Sequence, residues 1–292
     1  MSVSVGTAAA PDTRDGSRRF WTCGSKNCCL ASPGMAQRLQ NRTALVTGST
    51  SNIGRAIAVA FAAEGAHVVV SGRDGARGEA VISTIRESGG RADFVHADLD
   101  GTPARSRTLA EEATRRLGGR LDILVNNAGI FPPNTTLTTD DRTFDRVYAV
   151  NVKAPFFLTQ AVAPAMVAAG EGVIINLGSW VARLGLPVGS LYSSTKGALE
   201  TLTRAWAAEF GPLGVRVNAV SPGVIRTPDL DAAVEHPAEA MMRGTPAGGS
   251  GHPDAIAAAA VYLASDDAAF IHGTVLDVDG GRMAVAVIDS AA

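Results

Sequence analysis

The chain reads as an α/β domain: a doubly wound parallel sheet of seven strands with helices on both faces. Three observations predict it. From residue 43 onward, short β-branched runs alternate with longer segments whose apolar residues recur at spacings of three and four. A glycine-bearing turn at residues 47–54 joins the first run to the first helical segment. At 292 residues and 46% apolar content, with no internal repeat, the chain has material for one large core rather than two small ones.

In chain order the runs that read as strands are 43–47, 67–71, 92–97, 121–126, 172–177, 215–220 and 274–278. Between them lie helical segments such as IGRAIAVAFAAEG and KGALETLTRAWAAEF. In the latter, Leu199, Leu202, Trp206 and Phe210 form one stripe, and GPLG at 211–214 ends the helix. Strands that alternate with helices give a parallel sheet covered on both sides, whose ligands bind at the carboxyl ends of the strands.

Composition excludes several classes of function. A formal charge of −2 gives no reason to expect nucleic acid or a membrane surface as partner. No uninterrupted apolar run reaches the ~18 residues of a membrane span; Glu64 and Arg73 flank the most apolar stretch. Residues 1–34 differ in kind, being rich in Ala, Ser, Gly and Pro without apolar periodicity, and are expected to be disordered. Arg18 and Arg19 suggest a twin-arginine export signal, but no apolar run or cleavage site follows, so a cytoplasmic location is expected. Cys23, Cys28 and Cys29 lack partners at ligand spacing and read as inert thiols. Met35 opens the segment leading into the first strand, which marks the preceding stretch as an upstream extension of the reading frame, with the folded domain at 35–292. The five histidines show no metal spacing, so no metal is expected. Arg115 and Arg116 read as a helix carboxyl end.

Tyr192 and Lys196 carry the chemistry. Four apart on a helix, they share a face, so a phenol and an ammonium project into one cleft. A phenol titrates near ~10, and a neighbouring cation lowers that value by favouring the phenolate. Ser179 lies thirteen positions upstream, and Leu177 to Val181 is not the G-x-S-x-G of a hydrolase nucleophile.

These segments together resemble the short-chain dehydrogenase/reductase family over residues 40–283. The family's TGxxxGxG is similar to Thr47 through Gly54, its NNAG to Asn126 through Gly129, and its PG-x-x-x-T to Pro222 through Thr227. The resemblance implies a Rossmann-type fold and hydride exchange between a nicotinamide coenzyme and a carbonyl or alcohol. Tyr192 is then the acid/base, Ser179 orients substrate, and Lys196 and Asn151 support them, Asn151 from the middle of a long helix. It also implies that Gly48, Ser51, Asn52, Ile53 and Gly54 meet the pyrophosphate, and Asp98 and Leu99 the adenine. Asn126, Ala128 and Gly129 then lie near the adenosine ribose, and Tyr192 and Lys196 near the nicotinamide ribose. Pro222, Gly223, Ile225 and Thr227 hold the carboxamide.

Asn52 replaces the motif's middle glycine; Asn is the least damaging substitute where φ is positive. At the end of the second strand Gly72 stands where NAD-preferring relatives carry Asp, and Arg73 follows, able to clamp a 2′-phosphate; NADP(H) is favoured over NAD(H). Asp74 reads as the cap of the next helix. Phe131, Trp180, Leu184, Leu186, Met241 and Met242, with a lid at 227–251, suggest an apolar pocket and an apolar or aryl ketone. A 3-oxoacyl-[acyl-carrier-protein] reductase is the alternative within the enzyme class, and an idle nicotinamide-sensing regulator the alternative outside it. The resemblance implies a homotetramer built through helices at 140–168 and 191–210.

Overall fold

A computed structural model describes residues 37–187, 189–227 and 238–286. The extension at 1–34 and residues 228–237 of the expected lid at 227–251 lie outside the described residues. Seven parallel strands form one sheet: β1 (Thr43–Thr47), β2 (His67–Gly72), β3 (Arg91–His96), β4 (Ile123–Asn126), β5 (Gly172–Leu177), β6 (Val215–Pro222) and β7 (Val275–Val278). Their spatial order is β3-β2-β1-β4-β5-β6-β7. Connections run outward in opposite directions from β1, which opens a crevice at the carboxyl ends of β1 and β4.

Seven helices cover the two faces: α1 (Asn52–Ala63), α2 (Gly75–Glu87), α3 (Pro103–Arg116), α4 (Asp141–Tyr148), α5 (Ala154–Ala169), α6 (Ser190–Phe210) and α7 (Pro253–Ala264). Alternate strand residues feed two cores, as a period of two requires. Val46, Val68 and Val70 pack with Ile57 and Phe61 of α1 and Ile256 and Leu263 of α7. Leu45 and Val69 point the other way, onto Leu109 of α3, Leu158 and Met166 of α5, and Trp206 of α6. Of the predicted stripe on α6, Leu202, Trp206 and Phe210 pack in this second core, and Leu199 is buried.

Two sequence expectations are corrected. The fourth strand begins at Ile123 rather than 121, because the Asp122 carboxylate turns back to accept from the Thr43 backbone N–H (2.8 Å) and hydroxyl (3.0 Å). The long helix expected at 140–168 is divided: α4 passes through a π turn, Ala149–Lys153, before α5. Pro155 has no N–H to give the Asn151 carbonyl, so the ladder must widen there. The run Asp141–Ala169 is, by length and composition alone, apolar enough to cross a membrane. Its Leu158, Val162 and Met166 are spent on the second core instead.

Candidate active site

The crevice holds a cavity of about 450 Å³ that runs from Arg73, Asp98 and Leu99, past the turn at Gly48–Gly54, to Tyr192. Its floor is the amino end of α1. Asp74, Thr102 and Asp140 cap α2, α3 and α4 with side-chain oxygens, whereas α1 has neither a side-chain cap nor an acidic residue in its first turn. The unsatisfied N–H groups and positive dipole end of α1 therefore face the cavity, an arrangement suited to a diphosphate.

The turn's backbone is dictated by crowding. Gly48 has φ +62°, and a Cβ on Gly54 would lie 2.4 Å from the Gly48 carbonyl oxygen. Asn52, where the motif has glycine, has φ +45°, the left-handed conformation that Asn tolerates. Its Nδ2 donates to Thr227 Oγ1 at 3.4 Å, which ties the glycine turn to the segment after β6. Its Oδ1 is buried without a partner.

The segment after β4 is pinned to β1. Thr47 Oγ1 accepts from the backbone N–H groups of Asn127 and Ala128, both at 3.0 Å, and Asn127 Nδ2 donates to the carbonyls of Thr47 and Gly48. Asn126, expected near the ribose, points into the core instead: its Nδ2 donates to Asn176 Oδ1 at 2.9 Å, and it does not line the cavity. The two asparagines alternate because the last strand residue and its successor face opposite ways.

At the far end, Tyr192 lines the cavity wall, and Ser179 is near enough to lower the pKa of its phenol. Lys196, one turn further along α6, is buried; its Nζ donates to the Leu177 carbonyl at 2.6 Å and lies 5.6 Å from the centroid of the Tyr192 ring. Asn151 connects this pair to the cavity wall. Its Oδ1 accepts from the Ile130 N–H (2.8 Å), and its Nδ2 donates to the Ile130 carbonyl and to Thr195 Oγ1 (3.1 Å). Thr195 in turn donates to the Tyr192 carbonyl. Ser179, Tyr192, Lys196 and Asn151 are thus brought together, Asn151 from the π turn rather than a regular helix.

Burial and Ser179 act on the Tyr192 phenol in opposite directions. Burial pushes Tyr192 up to about 12, opposed only in part by Ser179. Burial also pulls the Lys196 ammonium down to about 8. Desolvation dominates because Lys196 is buried with its ammonium committed to a carbonyl, and Tyr192 is partly buried at the cavity wall.

At the adenosine end, Arg73 Nε stands 3.9 Å from Asp98 Oδ1, both side chains being about half exposed. A Cβ on Gly72 would meet the Thr50 methyl at 2.7 Å, so Thr50 shields the position where an acidic residue would stand. Asp74 caps α2 as expected, accepting from the Arg77 N–H at 3.0 Å. Pro222, Gly223 and Ile225 do not line this cavity; Ile225 packs against the first core. Thr50, Ser71, Ala97, Asn127, Arg146 and Val150 line it and were missed. Val150 precedes Asn151 and Arg146 lies one turn before Val150, so helical spacing was the signal that could have found both.

Phe131 is 56% exposed and tilts over Tyr192, with ring centroids 4.7 Å apart. Trp180 and Met242 pack with Val224 in a third apolar cluster, joined by Leu184, Leu186 and Met241. Among the described residues no group of three or more His, Cys, Asp or Glu side chains could hold a metal ion.

Residues 48–282 match the family model described as Enoyl-(Acyl carrier protein) reductase. The cyclopentanol dehydrogenase of Comamonas sp. (strain NCIMB 9872) is 36% identical over 249 residues, covering 85% of this chain and 99% of that protein. A solved short chain dehydrogenase/reductase family protein is 46% identical, with TM-score 0.76, over 85% of this chain and 100% of its own. A 7 alpha-hydroxysteroid dehydrogenase complexed with NADH and 7-oxo glycochenodeoxycholic acid is 36% identical, with TM-score 0.79, over 84% of this chain and 96% of its own. The sheet order, the glycine turn and these likenesses agree: the chain belongs to the short-chain dehydrogenase/reductase family and is an oxidoreductase of alcohols and ketones.

Proposed function

We propose that this oxidoreductase is an NADP(H)-dependent ketoreductase that uses Tyr192 as its acid/base. The observation that carries the reading is Tyr192 at the end of a cavity floored by an uncapped helix, with the buried Lys196 one turn further along α6. The residues fit a dinucleotide: α1's free N–H groups suit its diphosphate, and the glycine turn leaves the backbone bare. The bound coenzyme supplies the hydride. Tyr192 holds the proton at Oη, with Ser179 beside it to orient the substrate. A phenol pushed up to about 12 is neutral at pH 7, the form in which it can protonate a nascent alkoxide. Lys196 holds positive charge beneath the ring, and Asn151 keeps the Ile130 segment and α6 at fixed spacing.

Arg73 beside Gly72 supports NADP(H), because a guanidinium receives a 2′-phosphate through charge-assisted hydrogen bonds. Family membership alone leaves the coenzyme open, since one solved relative carries NADH. The apolar cluster of Trp180, Val224 and Met242, with Phe131 over Tyr192, supports an apolar or aryl ketone as substrate. Phe156 of α5 is 40% exposed, which supports assembly through α5, and a tetramer is the expected state in light scattering. The test is turnover of a panel of cyclic, aryl and sugar ketones and a 3-oxoacyl thioester with NADPH and NADH. Preference for an apolar ketone with NADPH is expected. Turnover of the thioester alone moves the chain to the carrier-protein reductases, and no turnover of any member defeats the proposal.

A further inference from the structure

Arg146 is the one charged residue of the cavity wall that nothing in the reading above uses. The charged residues lining the cavity are Arg73, Asp98 and Arg146. Arg73 and Asp98 stand 3.9 Å apart and offset each other. Arg146 is exposed, and among the described residues its side chain has neither an ion pair nor a hydrogen bond. Local carboxylates are available: Asp140 caps α4, and Asp141 and Asp145 lie on it. The guanidinium joins none of them and instead shares the cavity wall with Val150, one turn on. Arginine on a helix this rich in acids would ordinarily be claimed by an i−3 or i−4 partner, but those positions hold Thr143 and Arg142, neither of which is an acid. The sequence thus leaves one cation without a counter-ion inside a cavity whose floor already attracts anions.

We infer that Arg146 is a coenzyme-binding residue whose guanidinium receives a phosphate of the dinucleotide. The inference rests on the proposal that a dinucleotide fills this cavity. A planar donor fork on a helix is pre-organised for phosphate oxygens, and the uncapped α1 and Arg146 would neutralise the ligand from two different elements. The dinucleotide has two sources of phosphate oxygen, the diphosphate and, in NADP(H), the 2′-phosphate. They predict different patterns of loss.

The test measures dissociation constants of NADPH, NADH, 2′,5′-ADP and 5′-AMP by calorimetry for the wild type, Arg146→Gln and Arg146→Lys, at low and moderate salt. Gln at this position should weaken NADPH by roughly fivefold or more, Lys should recover part of the loss, and the difference should shrink as salt rises. Equal weakening of NADPH and NADH assigns the diphosphate. Weakening confined to NADPH and 2′,5′-ADP assigns the 2′-phosphate. Wild-type binding with all four constants of the Gln variant within twofold overturns this inference alone. A wild type that binds neither dinucleotide overturns the proposed function and this inference with it.

Discussion

Replacing Lys196 by Met should make the protein more stable at neutral pH while disabling the site. The ammonium is wholly buried, and burial lowers its pKa from 10.5 to about 8. At 1.36 kcal/mol per pH unit, the charged form costs the fold on the order of 3 kcal/mol at pH 7. Methionine fills a similar volume without charge, but it leaves the Leu177 carbonyl without its 2.6 Å donor, a loss of about 1 kcal/mol. The net gain is about 2 kcal/mol, or roughly 4 to 8 °C in melting temperature for a domain of this size. The sign with pH follows from a base whose folded pKa is depressed. The penalty on the wild type is complete below about pH 8, fades as pH rises from there towards 10.5, and is absent above it. The stability gap should close over that window. Tyr192 does not disturb the comparison: its raised pKa favours the fold below about pH 10 and loses effect towards 12 in both proteins alike. Urea midpoints at pH 7 and pH 10 measure the gap. A variant no more stable than wild type at pH 7, or a gap unchanged at pH 10, would refute the claim that Lys196 is held charged against desolvation.

Tyr192→Phe should keep coenzyme affinity within about twofold yet lower turnover by ~100-fold or more, the scale of general acid catalysis; single-turnover kinetics beside calorimetry decides it, and near-normal turnover removes Tyr192 from the role. Coenzyme preference should reverse towards NADH on combining Gly72→Asp and Arg73→Leu with Thr50→Ala, the last because the Thr50 methyl would stand 2.7 Å from the new Cβ. The ratio of kcat/KM values for the two coenzymes reports this, and a shift below about tenfold counts against Arg73 as selector. Asn52→Ala should lower stability by about 1 kcal/mol, because Ala gains nothing to offset φ +45°, whereas Asn52→Gly should stay close to wild type. Equal denaturation midpoints for the two variants would show that backbone strain is not what the asparagine answers.

The sheet was legible because each of its strands is a short apolar run between helical segments, and periodicity survives translation into structure. The order of strands was not, since no local pattern says that β4 docks beside β1 rather than beyond β3. Asn52's positive φ could be read from its motif position alone. Asn151's π turn was legible in principle from Pro155, whose missing N–H faces the Asn151 carbonyl, but the apolar run around it reads as a plain helix. Asn126 and Asn127 could not be told apart by type; which of them lines the cavity depends on where β4 ends. The depth of burial at Tyr192 was not legible either. Sequence shows the neighbouring cation but not the depth of burial, and here depth outweighs proximity.

That depth gives the site its character. At pH 7 the protein holds a proton on Tyr192, pushed up to about 12, and another on Lys196, pulled down to about 8. The phenol is therefore neutral at this pH and able to donate a hydrogen bond. Taking a proton from an alcohol requires the phenolate, and at neutral pH this requires more positive charge near Oη than Lys196 supplies, since its Nζ is held on the Leu177 carbonyl. Ser179 lowers the phenol's pKa without overcoming burial. Desolvation is therefore the main cost of forming the phenolate at Tyr192, whichever way the reaction runs.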